Sequence, residues 1–376
     1  MYDAIVAGAR CAGAPTAMLL ARKGFRVLLV DRDTFPSDIM STHYIHVPGI
    51  ARLKNWGLLD RLVATGCPPI TSANVHFGEA YFQPPPLSAL VPGVPEATLC
   101  PRRVVLDKLL IDGAVESGAE FRESFSVQGL LWDDGAVSGV RGSAHGKPVE
   151  ERARIVIGAD GLHSRVARVV KPAEYNTIPS LTFAYYTYWT GVQMDGIHFY
   201  FFEDGRGILA FPTHWGQVCL GIGGENAGFR EFRKDIGGNY MALIDRVPEL
   251  AEQVRAGKQE QRFLGTADQP NYFRKPYGPG WALVGDAGYH RDFITGLGIN
   301  DAFRDAELLT RAIDEAFSGQ RPLDEAMADY ENTRNDLAMP LYEITTKMAS
   351  GELTDPTEFM KFGPAIVRNL PSMNGN

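Results

Sequence analysis

The sequence predicts an α/β protein in which a parallel sheet with helices carries an inserted antiparallel sheet and ends in a C-terminal helical segment. Three observations predict this class. A buried strand at residues 2–7 runs into a glycine-rich turn and then into a helix. Two later apolar strands, ending near residues 158 and 285, have the same buried, parallel character. Residues 180–224 are aromatic and alternate in polarity, which is typical of an antiparallel sheet with one covered face.

The first element is a strand followed by the turn Gly8-Ala-Arg-Cys-Ala-Gly13 and a helix over 13–24. Such a turn aims the helix N-terminus at a pyrophosphate. A second strand over 25–31 ends in Asp31, whose carboxylate is placed to accept hydrogen bonds from a ribose. The unit therefore predicts a dinucleotide site. Arg10 stands where the motif has its middle glycine, so its side chain either leaves the turn or lies over the phosphates as a cation.

The remaining elements follow in chain order. The segment 32–47 is a long irregular stretch, and loops of this length inside a domain are usually functional. The pattern then predicts short helices near 48–56 and 58–65, short strands and turns over 68–100, a helix over 102–118, a strand pair near 120–127 and 129–141, a strand over 154–161, the antiparallel sheet over 180–224, a strand over 280–288, a helix over 296–317 and helices over 322–370.

The parallel strands are interrupted twice by β-rich insertions, which predicts a discontinuous nucleotide domain. We assign to it residues 1–70, 98–175 and 276–320. The inserted sheet domain takes residues 71–97 and 176–275. Residues 321–376 form the C-terminal helical segment.

Bulk properties narrow the class of protein. A net charge of -8 over 376 residues provides no basic face, so we expect no nucleic-acid partner. No apolar run reaches the ~18 residues of a membrane span, and a strand that starts at residue 2 leaves no room for a signal peptide, so we expect a cytoplasmic protein. Four separated cysteines without a CxxC indicate buried thiols and no metal site. A monomer and a homodimer are both compatible with the sequence.

Two further segments complete a specific pattern. They are Gly158-Ala-Asp-Gly-Leu-His-Ser-Arg-Val-Ala-Arg168 and Val284-Gly-Asp-Ala-Gly-Tyr-His290, the latter followed by Gly296-Leu-Gly-Ile-Asn300. With the first turn, they resemble the FAD-dependent monooxygenase family of the aromatic-hydroxylase type, which shares its fold with flavin halogenases and geranylgeranyl reductases. The resemblance implies a Rossmann-like FAD-binding domain of the glutathione-reductase kind, with the inserted sheet binding substrate.

The resemblance also implies which residues hold FAD. Asp286 would meet the ribityl chain, Arg103 the diphosphate and Val127 the adenine, and the helix that opens at Gly296 would face the flavin ring. Asp160 is expected either at the cofactor or as a helix cap. The full set is Gly8, Arg10, Ala12, Gly13, Asp31, Arg32, Ser41, Arg103, Val127, Asp160, Gly285, Asp286, Gly296, Gly298, Ile299 and Asn300.

Substrate contacts are expected from Tyr44, Phe211, His214 and Phe293. Phe293 lies in the stretch where the family has a proline beside the flavin. His43 and His214 are candidate general bases, with a structural role as the alternative for each. We predict no metal ligand.

The implied reaction is a monooxygenation. NAD(P)H would reduce FAD, O2 would form a flavin C(4a)-hydroperoxide, and an aromatic or polyketide-like molecule of the secondary-metabolite type would be oxygenated. Because a second glycine fingerprint for NAD(P)H is absent, a partner flavin reductase is an alternative electron source. The alternative function is a reductase that saturates an isoprenoid or ene-type double bond. The halogenase motif W-x-W-x-I-P is missing, which disfavours that branch, and a non-catalytic flavoprotein is the remaining class.

Overall fold

The computed structural model describes residues 1–352 and 361–372. The part of the predicted C-terminal segment that falls at 353–360 and 373–376 lies outside the described residues. The helices are α1 Gly13–Arg22, α2 Val47–Asn55, α3 Leu59–Val63, α4 Leu87–Leu90, α5 Arg103–Glu116, α6 Arg165–Val170, α7 Phe229–Phe232, α8 Ile236–Ile244, α9 Pro248–Ala256, α10 Gly298–Phe317, α11 Leu323–Ala349 and α12 Phe362–Arg368.

The strands fall into two large sheets and two small ones. They are β1 Tyr2–Ala7, β2 Val27–Val30, β3 Pro69–Ile70, β4 Ala73–Phe77, β5 Ala80–Phe82, β6 Thr98–Leu99, β7 Glu120–Arg122, β8 Phe125–Asp133, β9 Ala136–Ala144, β10 Lys147–Gly158, β11 Glu174–Ile178, β12 Thr182–Thr190, β13 Ile197–Phe201, β14 Gly207–Pro212, β15 Val218–Glu225, β16 Lys258–Gln259, β17 Leu264–Thr266, β18 Asn271–Arg274, β19 Tyr277–Gly278, β20 Trp281–Leu283 and β21 Tyr289–His290.

The first large sheet has the order β19-β20-β10-β1-β2-β7, and its strands from β20 to β7 run parallel. Ile5, Val6 and Ile157 are fully buried because helices or strands cover both faces of the sheet. One face carries α1, α5 and α10. The carboxyl ends of β1, β10 and β20 meet at one edge, so the three motif segments converge there.

The prediction of a strand pair near 120–127 and 129–141 is wrong, because the turn of the hairpin lies further along the chain. The chain instead makes a short parallel strand, β7, and then a long hairpin of β8 and β9. The hairpin reverses at Asp134 and Gly135, whose φ angles are 45° and 80°. An Asp-Gly pair suits such a turn because both positions need positive φ. The β8–β9 hairpin joins the large sheet through the antiparallel first half of β10.

The second large sheet has the order β16-β12-β15-β14-β13-β4-β5 and forms the expected aromatic layer. All of its pairs are antiparallel except β4 with β13. One face packs against α8 and α9, and the other turns toward the edge where the motif segments meet. The predicted fold class, including the inserted sheet and the C-terminal helices, is confirmed. The domain boundaries given above stay a prediction.

The small sheet β11-β18-β21 and the long helix α11 lie beside the end of the third motif. Helix α12 packs through Ala365 and Ile366 on Leu297 and Leu341. Thus the C-terminal helices support the loop from which α10 starts. Among residues 1–352 and 361–372, no helix combines the length and the apolar character needed to cross a membrane.

Candidate active site

A cavity of about 1740 Å³ lies between the two large sheets. Its walls come from the carboxyl edge of the parallel sheet, from the loop after β2 and from the inner face of the antiparallel sheet. The predicted cofactor residues that line it are Gly8, Arg10, Ala12, Asp31, Arg32, Ser41, Arg103, Val127, Asp160, Asp286, Gly296, Gly298 and Ile299. The structure therefore brings segments as distant as residues 8 and 299 onto one surface.

The turn after β1 is as tight as the motif requires. A Cβ atom on Gly8 would lie 2.4 Å from the carbonyl oxygen of Ala159, and one on Gly13 would lie 1.7 Å from the carbonyl oxygen of Gly8. Gly8 also has a φ of 104°. Consequently only glycine fits at these two positions, and the N-terminus of α1 lies against the end of β10.

Asp31 lies at the end of β2, as predicted, and lines the cavity. Its Oδ2 atom accepts a hydrogen bond of 2.7 Å from the N–H of Ala9, and its Oδ1 atom accepts one of 2.9 Å from the N–H of Asp33. Burial raises the pKa of the Asp31 carboxyl. Arg32, by contrast, points outward, with 80% of its side chain exposed.

Arg103 lies at the start of α5 and is held by Asp107 on the next turn. Its Nε and Nη2 atoms donate to the two carboxylate oxygens of Asp107 over 2.9 and 3.1 Å. No described residue accepts a hydrogen bond from its Nη1 atom, and the residue lines the cavity. The fork geometry leaves one edge of the guanidinium for a phosphate.

Asp160 and Asp286, the two acids of the later motifs, differ in their surroundings. The Asp160 carboxylate accepts hydrogen bonds from the Ser164 hydroxyl and from the N–H of Arg165 and Val166, so it holds the start of α6. Among the described residues, no group donates a hydrogen bond to the Asp286 carboxylate, which lines the cavity. Burial raises the pKa of the Asp286 carboxyl.

Three predicted cofactor residues, Gly13, Gly285 and Asn300, do not line the cavity, and their contact with FAD stays a prediction. Gly13 packs on Gly8, and Gly285 lies against Ala12 and Ala302. Asn300 turns away and accepts a hydrogen bond of 2.9 Å from the N–H of Gly49 through its Oδ1 atom.

His214 corrects a second prediction, because it does not line the cavity. Its Nδ1 atom accepts a hydrogen bond of 3.1 Å from the N–H of Arg102, and its Nε2 atom lies 2.8 Å from the Thr65 hydroxyl. Burial, followed by the charge of Arg102, lowers the pKa of His214 to about 4. It is a neutral structural histidine joining three segments and has no free nitrogen for a substrate proton.

His43 is fully buried and is not on the cavity wall either. Its Nε2 atom makes a short hydrogen bond with the Tyr188 hydroxyl, while its Nδ1 atom is buried without a partner. Burial lowers the pKa of His43 well below its usual range, and Arg103 and Arg102 lower it further. A role as a general base in contact with substrate is not compatible with this position.

The substrate side of the cavity is built from aromatic rings. Phe211 and Phe293 line the cavity as predicted, whereas Tyr44 lies behind Gly296 and is not on the wall. Tyr186 and Phe199 also line the cavity. From the sequence, these two rings are recognisable only as part of the aromatic stretch at 180–224. Alternation along β12 and β13 identifies which rings share a face, but the sequence does not say which face is inward.

The fold and this cavity define an FAD-dependent oxidoreductase. The sequence family described as "FAD binding domain" matches residues 1–223, which is more than half of the chain. The protein belongs to this family.

Relatives and solved structures of similar fold carry several activities. Digeranylgeranylglycerophospholipid reductase 2 of Methanopyrus kandleri is 28% identical over 319 residues, covering 80% of this chain and 73% of the relative. The corresponding reductase of Methanosarcina acetivorans is 27% identical over 365 residues, covering 91% and 83%. The flavin-dependent brominase Bmp2 superposes with a TM-score of 0.83 at 19% identity, covering 98% of this chain and 93% of the brominase. PqsL of Pseudomonas aeruginosa, a probable FAD-dependent monooxygenase, gives 0.80 at 22% identity, covering 96% and 98%.

The residues present fit FAD. The turn at Gly8 and Gly13 offers backbone N–H groups without side-chain obstruction, and Arg103 offers a free guanidinium edge. At Gly298, at the start of α10, a Cβ atom would have no neighbouring atom within 4 Å, so the backbone there is open to a ligand. The unpartnered Asp286 carboxylate suits a hydroxyl chain.

Proposed function

We propose that the protein is an NAD(P)H-dependent flavin monooxygenase acting on an apolar, ring-containing small molecule of aromatic or polyketide-like type. The observation that carries the proposal is the flavin end of the cavity. Phe293 on the loop before α10 lines the same cavity as Tyr186, Phe199 and Phe211 of the antiparallel sheet. Flat apolar substrates fit such walls, and aromatic side chains bind rings by stacking or edge contacts.

In this proposal different residues bind different parts of FAD. Arg103 and the N-terminus of α1 hold the diphosphate, Asp31 the adenosine ribose and Asp286 the ribityl hydroxyls. Bound FAD would supply the two-electron and oxygen chemistry. The N-terminus of α10, at Gly298, places the positive end of its helix dipole beside the negative charge that develops on the reduced ring. The sheet rings exclude water from the reacting face.

The two histidines predicted as general bases, His43 and His214, do not reach the cavity. Burial raises the pKa of the Tyr186 hydroxyl beyond its usual value of 10. The proposal therefore assigns binding, orientation and exclusion of water to the protein.

The test uses the FAD-loaded protein, NADH or NADPH, labelled O2 and a panel of polycyclic phenols. We expect substrate-stimulated consumption of the nicotinamide and one labelled oxygen atom in the product by mass spectrometry. If consumption requires an added flavin reductase, the electron donor is the partner protein. Absence of labelled product with every donor contradicts the monooxygenase assignment.

A variant links this activity to the cavity. Phe211→Ala is expected to raise KM for a ring substrate ~10-fold, because one buried ring contact is removed. Trp132→Ala is the matched control, since that ring is 50% exposed on β8 and does not line the cavity. Equal effects of the two variants would show that the cavity is not the substrate site.

A second candidate is a reductase for an isoprenoid or ene-type double bond. It is favoured by the names of the two reductases that match most of this chain. Reduction of an isoprenoid alcohol by the reduced, FAD-loaded protein without O2 would support it. Inhibition of product formation by removing O2 would instead support the monooxygenase.

A further inference from the structure

Arg10 occupies the position of the second motif glycine, and its terminal nitrogens are committed to protein acceptors. The Nη1 atom lies 2.6 Å from Asp107 Oδ2 and 3.4 Å from the carbonyl oxygen of Ser37. The Nη2 atom lies 2.9 Å from Asp33 Oδ2 and 3.0 Å from the Ser37 hydroxyl. These contacts use all four terminal N–H groups of the guanidinium, so they are not available to a phosphate.

The acceptors belong to the two segments that carry other cofactor-facing groups. Asp107 is fully buried and holds Arg103 in a two-pronged hydrogen bond, as described above. The N–H of Asp33 donates to Asp31. Arg10 thus connects the turn after β1 to the phosphate-facing arginine through Asp107, and to the ribose-facing acid through Asp33.

Arg10 is the cation that contacts both anions of the cluster, Asp33 and Asp107. Arg103 pairs only with Asp107, and the exposed Arg32 lies 3.8 Å from Asp33. Without Arg10 the cluster loses one positive charge next to the proposed diphosphate site. The buried Asp107 carboxylate would then have a single cation, Arg103, for both of its oxygens.

We propose that Arg10 is a positioning residue for FAD: it fixes Arg103 through Asp107 and the 31–37 segment through Asp33, without contacting the phosphates itself. The inference depends on FAD binding and not on the reaction, so it can fail while the proposed monooxygenase stands. The proposal also gives a reason for the arginine at the position where the motif has a glycine.

The decisive variant is Arg10→Gly, which restores the motif residue. We expect the Kd of the apoprotein for FAD, followed by quenching of flavin fluorescence, to rise at least ~10-fold. The inhibition constant of ADP as a competitor should rise by the same factor, whereas binding of riboflavin, which has no phosphate, should change less than twofold. A general loss of structure would weaken all three ligands. Arg61→Met is the control, since it removes one cation whose partner, Glu116, also lies on α5.

Two further variants separate positioning from direct contact. Arg10→Lys keeps the charge but not the fork, so its Kd should lie between those of the parent and Arg10→Gly. If Arg10→Gly does not fold, Arg10→Lys decides the question through the same FAD and ADP measurements. In the double variant Arg10→Met with Asp107→Asn, the loss of FAD affinity should be smaller than the product of the losses in Arg10→Met and Asp107→Asn, because Arg10 acts in part through Asp107.

The proposal is overturned if Arg10→Gly binds FAD as tightly as the parent. It is also overturned if the losses of the two single variants multiply in the double variant, since that would show that Arg10 does not act through Asp107. Loss of riboflavin binding in parallel with FAD binding would reduce Arg10 to a general structural role.

Discussion

Asp286 is the predicted cofactor residue whose carboxylate is most open to a ligand. It follows a buried strand, is half-buried, lines the cavity and receives no hydrogen bond from the described residues. Its hydrogen-bond donors therefore come from what fills the cavity. The hydroxyls of a ribityl chain supply such donors.

The first prediction concerns this carboxylate. Asp286→Ala should weaken FAD binding by ~10-fold or more, because charge-assisted hydrogen bonds between the cofactor and a carboxylate on the cavity wall are lost. Titration of the apoprotein with FAD measures the effect. Asp112→Ala, which removes a partly exposed acid paired with Lys108 on α5, should leave the Kd unchanged. If the two variants bind FAD with equal affinity, Asp286 does not contact the cofactor.

His214 shows how a residue type suited to catalysis can serve the fold instead. His214→Ala should lower the free energy of unfolding by about 1–3 kcal/mol, because the buried N–H of Arg102 loses its acceptor and the contact with the Thr65 hydroxyl is removed. The affinity for FAD should not change. Urea unfolding provides the measurement, and His145→Ala, on the exposed turn between β9 and β10, is the control. A loss of FAD affinity without a loss of stability would contradict the structural role.

The same histidine predicts a pH effect. Its pKa is near 4 in the fold and near 6.5 when unfolded, so protonation favours the unfolded chain. Its contribution to stability is complete above about pH 6.5 and is lost as the pH falls toward about 4. The free energy of unfolding should therefore fall less steeply across this window in His214→Gln than in the parent. Identical slopes would show that the ring is not held neutral.

At the residue scale, prediction from sequence worked where position along a strand determines position in space. Asp31 and Asp286 follow buried strands, so their place at the sheet edge was predictable. The sequence could not predict that Asp107, 97 residues from Arg10, is its partner. Nor could it predict that His214 and Asn300 turn toward Arg102 and Gly49, because side-chain direction there depends on packing between distant segments.

At the scale of the element, the strand–turn–helix unit of β1 and α1 is the proposed phosphate site. Its geometry depends on contact between the turn and the end of β10, with Gly8 against Ala159. Because this contact is between backbones, it leaves no room for a side chain.

A pair of glycine variants tests this contact. Gly8 and Gly118 have almost the same φ, 104° and 103°, but only Gly8 faces an obstruction. Both substitutions by alanine share the backbone penalty, so their difference isolates the collision. We expect Gly8→Ala to destabilise the protein by at least ~1 kcal/mol more than Gly118→Ala and to be the only one that abolishes FAD binding. Thermal unfolding with and without FAD measures both effects, and equal behaviour would contradict the tight turn.

The elements themselves were predictable to different degrees. Helices α1, α5 and α10 follow apolar periodicity and cap signals and were found near their predicted positions. The β8–β9 hairpin was placed wrongly because the apolar alternation continues past residue 128, whereas the turn is determined by Asp134 and Gly135. The Asp134-Gly135 pair therefore locates the hairpin turn better than the limits of the apolar run do.

At the scale of the whole molecule, function depends on the cavity between two sheets. The parallel sheet provides the polar wall, which we propose binds the phosphates, and the antiparallel sheet provides the aromatic wall. The existence of both sheets was predictable from their different patterns. Which aromatic rings face inward was not, because the relative orientation of the sheets arises from long-range packing.

The central claim, that this cavity holds one FAD, is tested most directly by the flavin content of the protein. The protein should be yellow when purified or become so on incubation with FAD, and acid should release FAD, identified by mass spectrometry, at one molecule per chain. Colourless protein that fails to quench the fluorescence of added FAD would contradict the account.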